Sequence, residues 1–139
     1  MAESGGISFR IHLAVGNLGV TEAFYSGILE LPVRRPYSGS GIPDHLILRA
    51  GGCEVVFLED DKMVKEYPPA EHGLAAFPKG IGVMFRFAVL DLLGVYDALT
   101  EEGLEIAFFH EHPVSREKEL AVYDPDGYLV VIEELHRPD

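Results

Sequence analysis

The sequence predicts an α+β fold in which two β-α-β-β-β modules follow one another in tandem. The first observation behind this is an internal repeat. Val15 and Val89 stand 74 residues apart, and the same offset lays Asn17-Leu18 on Asp91-Leu92 and Cys53–Glu59 on Gly127–Glu133 without a gap. The second is that each copy opens on a strand that turns directly into an amphipathic helix. The third is that each copy closes on a glycine turn, Gly51-Gly52 or Asp124-Pro125-Asp126-Gly127, leading into an apolar strand.

Residues 7–15 alternate, with Arg10, His12 and Ala14 on one face and Ile11, Leu13 and Val15 on the other. Gly16-Asn17 turns the chain into a helix whose apolar stripe is Leu18, Ala23, Phe24, Ile28 and Leu29, leaving Thr21, Glu22 and Ser26 to solvent. Pro32 stops it. Val33 to Tyr37 is a short edge-like strand, and Ser38-Gly39-Ser40-Gly41 a loop tip. Strands over Asp44–Ala50 and Cys53–Glu59 form a hairpin. The first module thus spans 7–59. Residues 60–80, broken by Pro68-Pro69 and Pro78, read as a linker holding one helical turn. In the second module, 81–135, strands are expected over Ile81–Val89, Leu104–Phe109, Glu117–Tyr123 and Tyr128–Leu135. Its helix runs over Asp91–Glu102 and stops at Gly103.

A chain of 139 residues with 47% hydrophobic content makes one globular unit with a sizeable core. A net charge of −12 excludes the basic footprint that nucleic acid requires, and it permits a cationic ligand. There is no membrane-spanning apolar run, and the N-terminus lacks the pattern of a signal peptide. Cys53, the single cysteine, rules out an intrachain disulfide and reads as a small buried residue; a cytoplasmic location is expected.

The paired modules, the V-x-N/D-L signature followed by a helix bearing Phe24-Tyr25, and the Asp-Pro-Asp-Gly turn together resemble the vicinal oxygen chelate superfamily. That superfamily includes glyoxalase I, extradiol dioxygenases, and fosfomycin- and bleomycin-resistance proteins. The resemblance covers Ile7 to Glu134. It implies a cup-like curved sheet formed by paired modules, a small-molecule ligand and a homodimer, with no nucleic-acid or membrane partner. It also implies metal ligands on the first strand of each module and on the strand after each glycine turn. Those positions hold Arg10, Phe57, Met84 and Val131, none of them a donor for a hard divalent cation. No cofactor is therefore expected, with a divalent metal as the alternative.

Two residues along each strand stand His12, Glu59, Arg86 and Glu133. Placed on one face, His12, Glu59 and Glu133 would make a displaced metal site, or Arg86 would simply pair with the carboxylates. Without metal, Arg10 and Arg86 could hold an anion, His12 could exchange a proton, and Phe57, Met84 and Val131 would form an apolar wall. Tyr123, at the repeat position of Arg49, could reach the rim, and His45 shares a face with Ile47. His110-Glu111-His112 reads as an exposed loop before Pro113. The sequence holds no HExxH and no serine-nucleophile motif, and Gly80-Ile81-Gly82 lacks the rest of a phosphate loop. The reading that follows is a small-molecule-binding protein without the usual metal ligands. The alternative is a lyase, isomerase or dioxygenase-like enzyme using His12 with Glu133 or Glu59. A catalytically idle domain acting through a partner is a third class.

Overall fold

The computed structural model describes residues 8–37, 39, 41–74 and 76–135, so Ile7 and the loop-tip residues Ser38 and Ser40 lie outside the described residues. The chain divides into two compact units, the first comprising residues 8–26 and 30–74 of those described, the second 27–29 and 76–135.

In the first unit, β1 is Arg10–Val15, β2 Val33–Arg34, β3 His45–Ala50 and β4 Cys53–Glu59, in the sheet order β1-β4-β3-β2. β1 runs parallel to β4, and the other pairs are antiparallel. A parallel pair needs a crossover, and the helix supplies it. Helix α1, Leu18–Glu22, starts at Asn17, whose side chain accepts a hydrogen bond from Val20 N at 3.0 Å. It continues as a wider π-helical stretch, Ala23–Ile28. The widening rotates the buried face away from ideal helical spacing. Thr21 and Tyr25 are fully buried and Ala23 is exposed, so the expected stripe is corrected at Thr21 and Ala23. The Thr21 hydroxyl is satisfied by donating to Asn17 O at 3.1 Å. Phe24, Tyr25 and Phe57 make an aromatic cluster, with ring centroids 4.9 and 5.1 Å apart. Asp60–Glu66 then forms a two-turn helix, α2, longer than expected, followed by a short 3-10 turn over Pro68–Glu71.

In the second unit, β5 is Met84–Val89, β6 Phe108–Glu111, β7 Lys118–Tyr123 and β8 Leu129–Glu134, ordered β5-β8-β7-β6 with the same parallel and antiparallel pattern. Helix α3, Leu92–Glu101, is capped by Asp91, which accepts from Gly94 N at 3.0 Å, repeating the role of Asn17. β6 begins later than expected and takes in His110 and Glu111, which the sequence placed in a loop. The turn before β8 is built on Asp124: its Oδ1 accepts from Asp126 N and Tyr128 N, both at 2.9 Å. Gly127 takes φ +90°, and a Cβ there would lie 2.5 Å from Pro78 Cβ. The end of the linker packs on this turn, and Lys79 N donates to Asp126 O at 2.9 Å.

The two units differ by one residue at their hairpins. Arg10 pairs with Glu54, and Met84 with Leu129. Arg10 and Met84 stand 74 apart, but Glu54 and Leu129 stand 75 apart. The second turn holds one residue more than Gly51-Gly52. Because side chains alternate with period two, that residue moves every assignment on β4 to the other face. The single gapless offset is corrected accordingly: Val131 corresponds to Val56, and Glu134, not Glu133, corresponds to Glu59.

Candidate functional site on the two sheet faces

Each sheet has one face toward its crossover helix and one face away from it. On the first sheet, the face away from α1 carries three rows across the strands. Arg10, Glu54 and Arg49 make one row, His12, Val56, Ile47 and Arg34 the next, and Ala14, Leu58 and His45 the third. Phe57 and Glu59 are on the opposite face, so the expectation that they share a face with His12 is corrected. Phe57 is buried against Tyr25. Glu59 Oε2 accepts from Leu18 N at 3.0 Å, holding the first turn of α1. A displaced site combining His12 with Glu59 is therefore not assembled within this unit.

The first row is an ion-pair array. Arg10 Nε lies 3.1 Å from Glu54 Oε1, and Arg49 Nε donates to Glu54 Oε2 at 3.0 Å. The hydrogen bond from Arg49 lowers the Glu54 pKa below the usual carboxylate value against the desolvation that would raise it, and the charges of Arg49, Arg10 and Arg34 add to the lowering. His12 is exposed, and His45 is half-buried with Nδ1 3.1 Å from Pro43 O.

On the second sheet, the face away from α3 has the same three rows with different chemistry. Met84, Leu129 and Tyr123 form the first; Arg86, Val131, Ala121 and Phe108 the second; Ala88, Glu133, Glu119 and His110 the third. Met84, Phe108 and Tyr123 are each about half exposed, while Val131 and Ala121 are buried. By register Met84, Arg86, Val131 and Glu133 share this face, as the strand alternation expects, and Tyr123 stands on it as well. Arg86 Nη1 donates to Glu119 Oε2 at 2.8 Å and lies 3.5 Å from Glu133 Oε2. The hydrogen bond to Glu119 raises the Arg86 pKa further, aided by the charges of Glu119 and Glu133. Arg86 is thus matched by two carboxylates and is not a free anion clamp. Glu119 was missed in the sequence, where Glu117-Lys118-Glu119 looks like a solvated run; only the strand register puts it opposite Glu133. His110 stacks on Phe108 with centroids 5.9 Å apart, and His112 Nδ1 accepts from Val114 N and Ser115 N at 3.2 Å each. Cys53 is exposed, correcting the buried reading: it is the first residue of β4, directly after the turn.

A cavity of about 830 Å³ opens between α3 and β6, lined by Leu92, Leu93, Tyr96, Ile106, Phe108 and Phe109 among others. The connection from helix to edge strand is longer here, 102–107 against 29–32 after the first helix. Among the described residues no group of three or more His, Cys, Asp or Glu is placed to hold a metal ion, and no helix is long and apolar enough to cross a membrane.

A fold of two β-α-β-β-β units with these faces defines a class, and comparison with known proteins identifies it. Residues 8–132 match the model of the glyoxalase/bleomycin resistance protein/dioxygenase superfamily. The chain belongs to that superfamily, whose members bind small-molecule ligands, often divalent metals, and are often dimers. No curated protein matches the chain significantly. Among solved structures, the fold is similar to a glyoxalase family protein from Enterococcus faecalis (22% identity, 93% of this chain and 98% of that one, TM-score 0.58). It is also similar to the fosfomycin resistance protein FosX from Listeria monocytogenes (16%, 100% and 96%, TM-score 0.65) and to lactoylglutathione lyase from Agrobacterium tumefaciens (14%, 93% and 93%, TM-score 0.59).

Proposed function

We propose that this protein is a metal-independent, small-molecule-binding member of the superfamily, and that its ligand is seated on the sheet face formed by β5–β8. The observation that supports this most is the chemistry at the positions where the family resemblance puts metal ligands. Arg10 is a fixed cation paired with Glu54, Met84 a soft thioether, and Val131 has no donor atom. Val56, which the register puts in place of Phe57, has none either. This donor set does not fit a divalent cation of the hard or borderline kind.

The β5–β8 face has what a small-molecule pocket needs: an apolar shelf of Met84, Leu129, Tyr123, Phe108 and Val131 with a few fixed polar groups beside it. Arg86, Glu119 and Glu133 together carry one net negative charge, so the face selects a flat apolar body bearing a positive charge. Titration of the full chain with proflavine, an aromatic cation, against neutral acridine tests this. Proflavine should bind, acridine roughly tenfold more weakly, and Tyr123→Ala and Glu119→Gln should each cost proflavine about 1 kcal/mol, or roughly fivefold in Kd. Equal binding of the two dyes, or binding indifferent to both substitutions, would contradict the assignment.

A further inference from the structure

We infer that the first sheet's face away from α1 is a binding site for a dianion, a phosphate-type group on a small molecule, held by Arg10, Arg34 and Arg49. This rests on the reading above that the chain binds a small molecule on a sheet face turned away from its helix, and it assigns the β1–β4 face a ligand chemistry opposite to that of the β5–β8 face.

Among the described strand residues, three guanidiniums share this face with one carboxylate, Glu54. Glu54 uses both its oxygens, Oε1 toward Arg10 and Oε2 toward Arg49. It thereby holds one guanidinium fork on each side of itself, Arg10 from β1 and Arg49 from β3, and the face keeps an excess of two positive charges. Each fork has five N–H donors, and Glu54 engages only one or two of them, so the remainder can receive an anion bidentately. Arg34 adds its charge from the neighbouring row on β2.

Stability does not explain the cluster. Its arginine side chains are more than half exposed where they pair, and exposed pairs contribute little, while three like charges repel one another. Nor does the fold require it. At the same register the second unit has Met84, Phe108 and Tyr123 for the three arginines and Leu129 for Glu54, with no charge at all. A patch with two excess positive charges also stands out in a chain of net charge −12. Charge balance assigns the ligand: two excess cations match a group that is doubly ionised at neutral pH.

The test is calorimetric titration of the full chain at low ionic strength with phenyl phosphate, with benzoate as the monoanionic counterpart. Phenyl phosphate should bind, benzoate at least tenfold more weakly, and inorganic phosphate should compete. Arg10→Met and Arg49→Tyr install the residues that the second unit tolerates at these positions, and each should weaken phenyl phosphate roughly tenfold. Glu54→Gln should tighten it severalfold, because the competing carboxylate is removed. The inference is overturned by no binding, by equal binding of benzoate, by indifference to both arginine substitutions, or by weakening in Glu54→Gln. Proflavine binding separates the two readings. If proflavine binds and phenyl phosphate does not, this inference alone fails; if neither binds, both fail.

Discussion

Glu54 and Glu59, five residues apart on one strand, show how much a single carboxylate's surroundings decide. Glu54 looks away from α1 into three arginines, and its acidity is increased there. A carboxylate whose folded pKa is depressed contributes stability above its unfolded value and loses that contribution as pH falls through the folded one. Glu54→Gln should therefore have a lower Tm than the parent at neutral pH, and the gap should close below about pH 4.5, the ordinary glutamate value. Thermal melts across pH 3–7 would show it. A gap that persists unchanged in acid would contradict the ion-pair origin. Glu59 faces the other way and binds the first turn of α1, so Glu59→Ala should cost about 1 kcal/mol in denaturant unfolding, as the loss of a helix cap does. It should leave binding of proflavine and phenyl phosphate unaltered.

At the scale of elements, the hairpins decide which side chains meet. Phe57 belongs to the core with Tyr25, so Phe57→Ala should cost about 3–5 kcal/mol, a loss measured as reduced stability and not as altered ligand preference. Gly127→Ala should destabilise by more than about 1 kcal/mol, because φ is positive and Pro78 fills the space a methyl group would need. The element order was legible because β1 alternates and both helices begin at capping residues, Asn17 and Asp91. The face of β4 was not. Val55, Val56, Phe57 and Leu58 are all buried, as are Val130, Val131 and Ile132, and a strand buried on both faces reads as a continuous apolar run with no period of two. Nothing in such a run reveals a one-residue difference in the turn before it, so the repeat aligned Glu59 with Glu133 when the register pairs it with Glu134. The π-helical widening at Ala23–Ile28 hid the burial of Thr21 and Tyr25 for a similar reason: helical spacing assumes a constant turn.

At the scale of the molecule, the duplication has diverged in chemistry while keeping its architecture. Both units keep the same strand order and the same helix-capping arrangement, but away from the helices the charged row Arg10, Glu54 and Arg49 gives way to Met84, Leu129 and Tyr123, while the second unit carries Arg86, Glu119 and Glu133 where the first has His12, His45 and Leu58. The candidate residues Arg10, His12, Met84, Arg86, Val131, Glu133 and Tyr123 were found from strand periodicity and the family resemblance. Arg34, Arg49, Glu54 and Glu119 emerged only from pairing across strands, which no one-dimensional pattern records. The central claim is that this chain binds its ligand without the divalent metal its relatives often use. Elemental analysis of untagged protein, purified without chelator and then soaked in manganese, zinc, iron(II) and nickel, tests it most directly. Less than a tenth of an equivalent of any metal retained after desalting is the expected result. A near-stoichiometric metal that is lost in His12→Ala or Glu133→Ala would contradict the claim and establish a metal site on these faces.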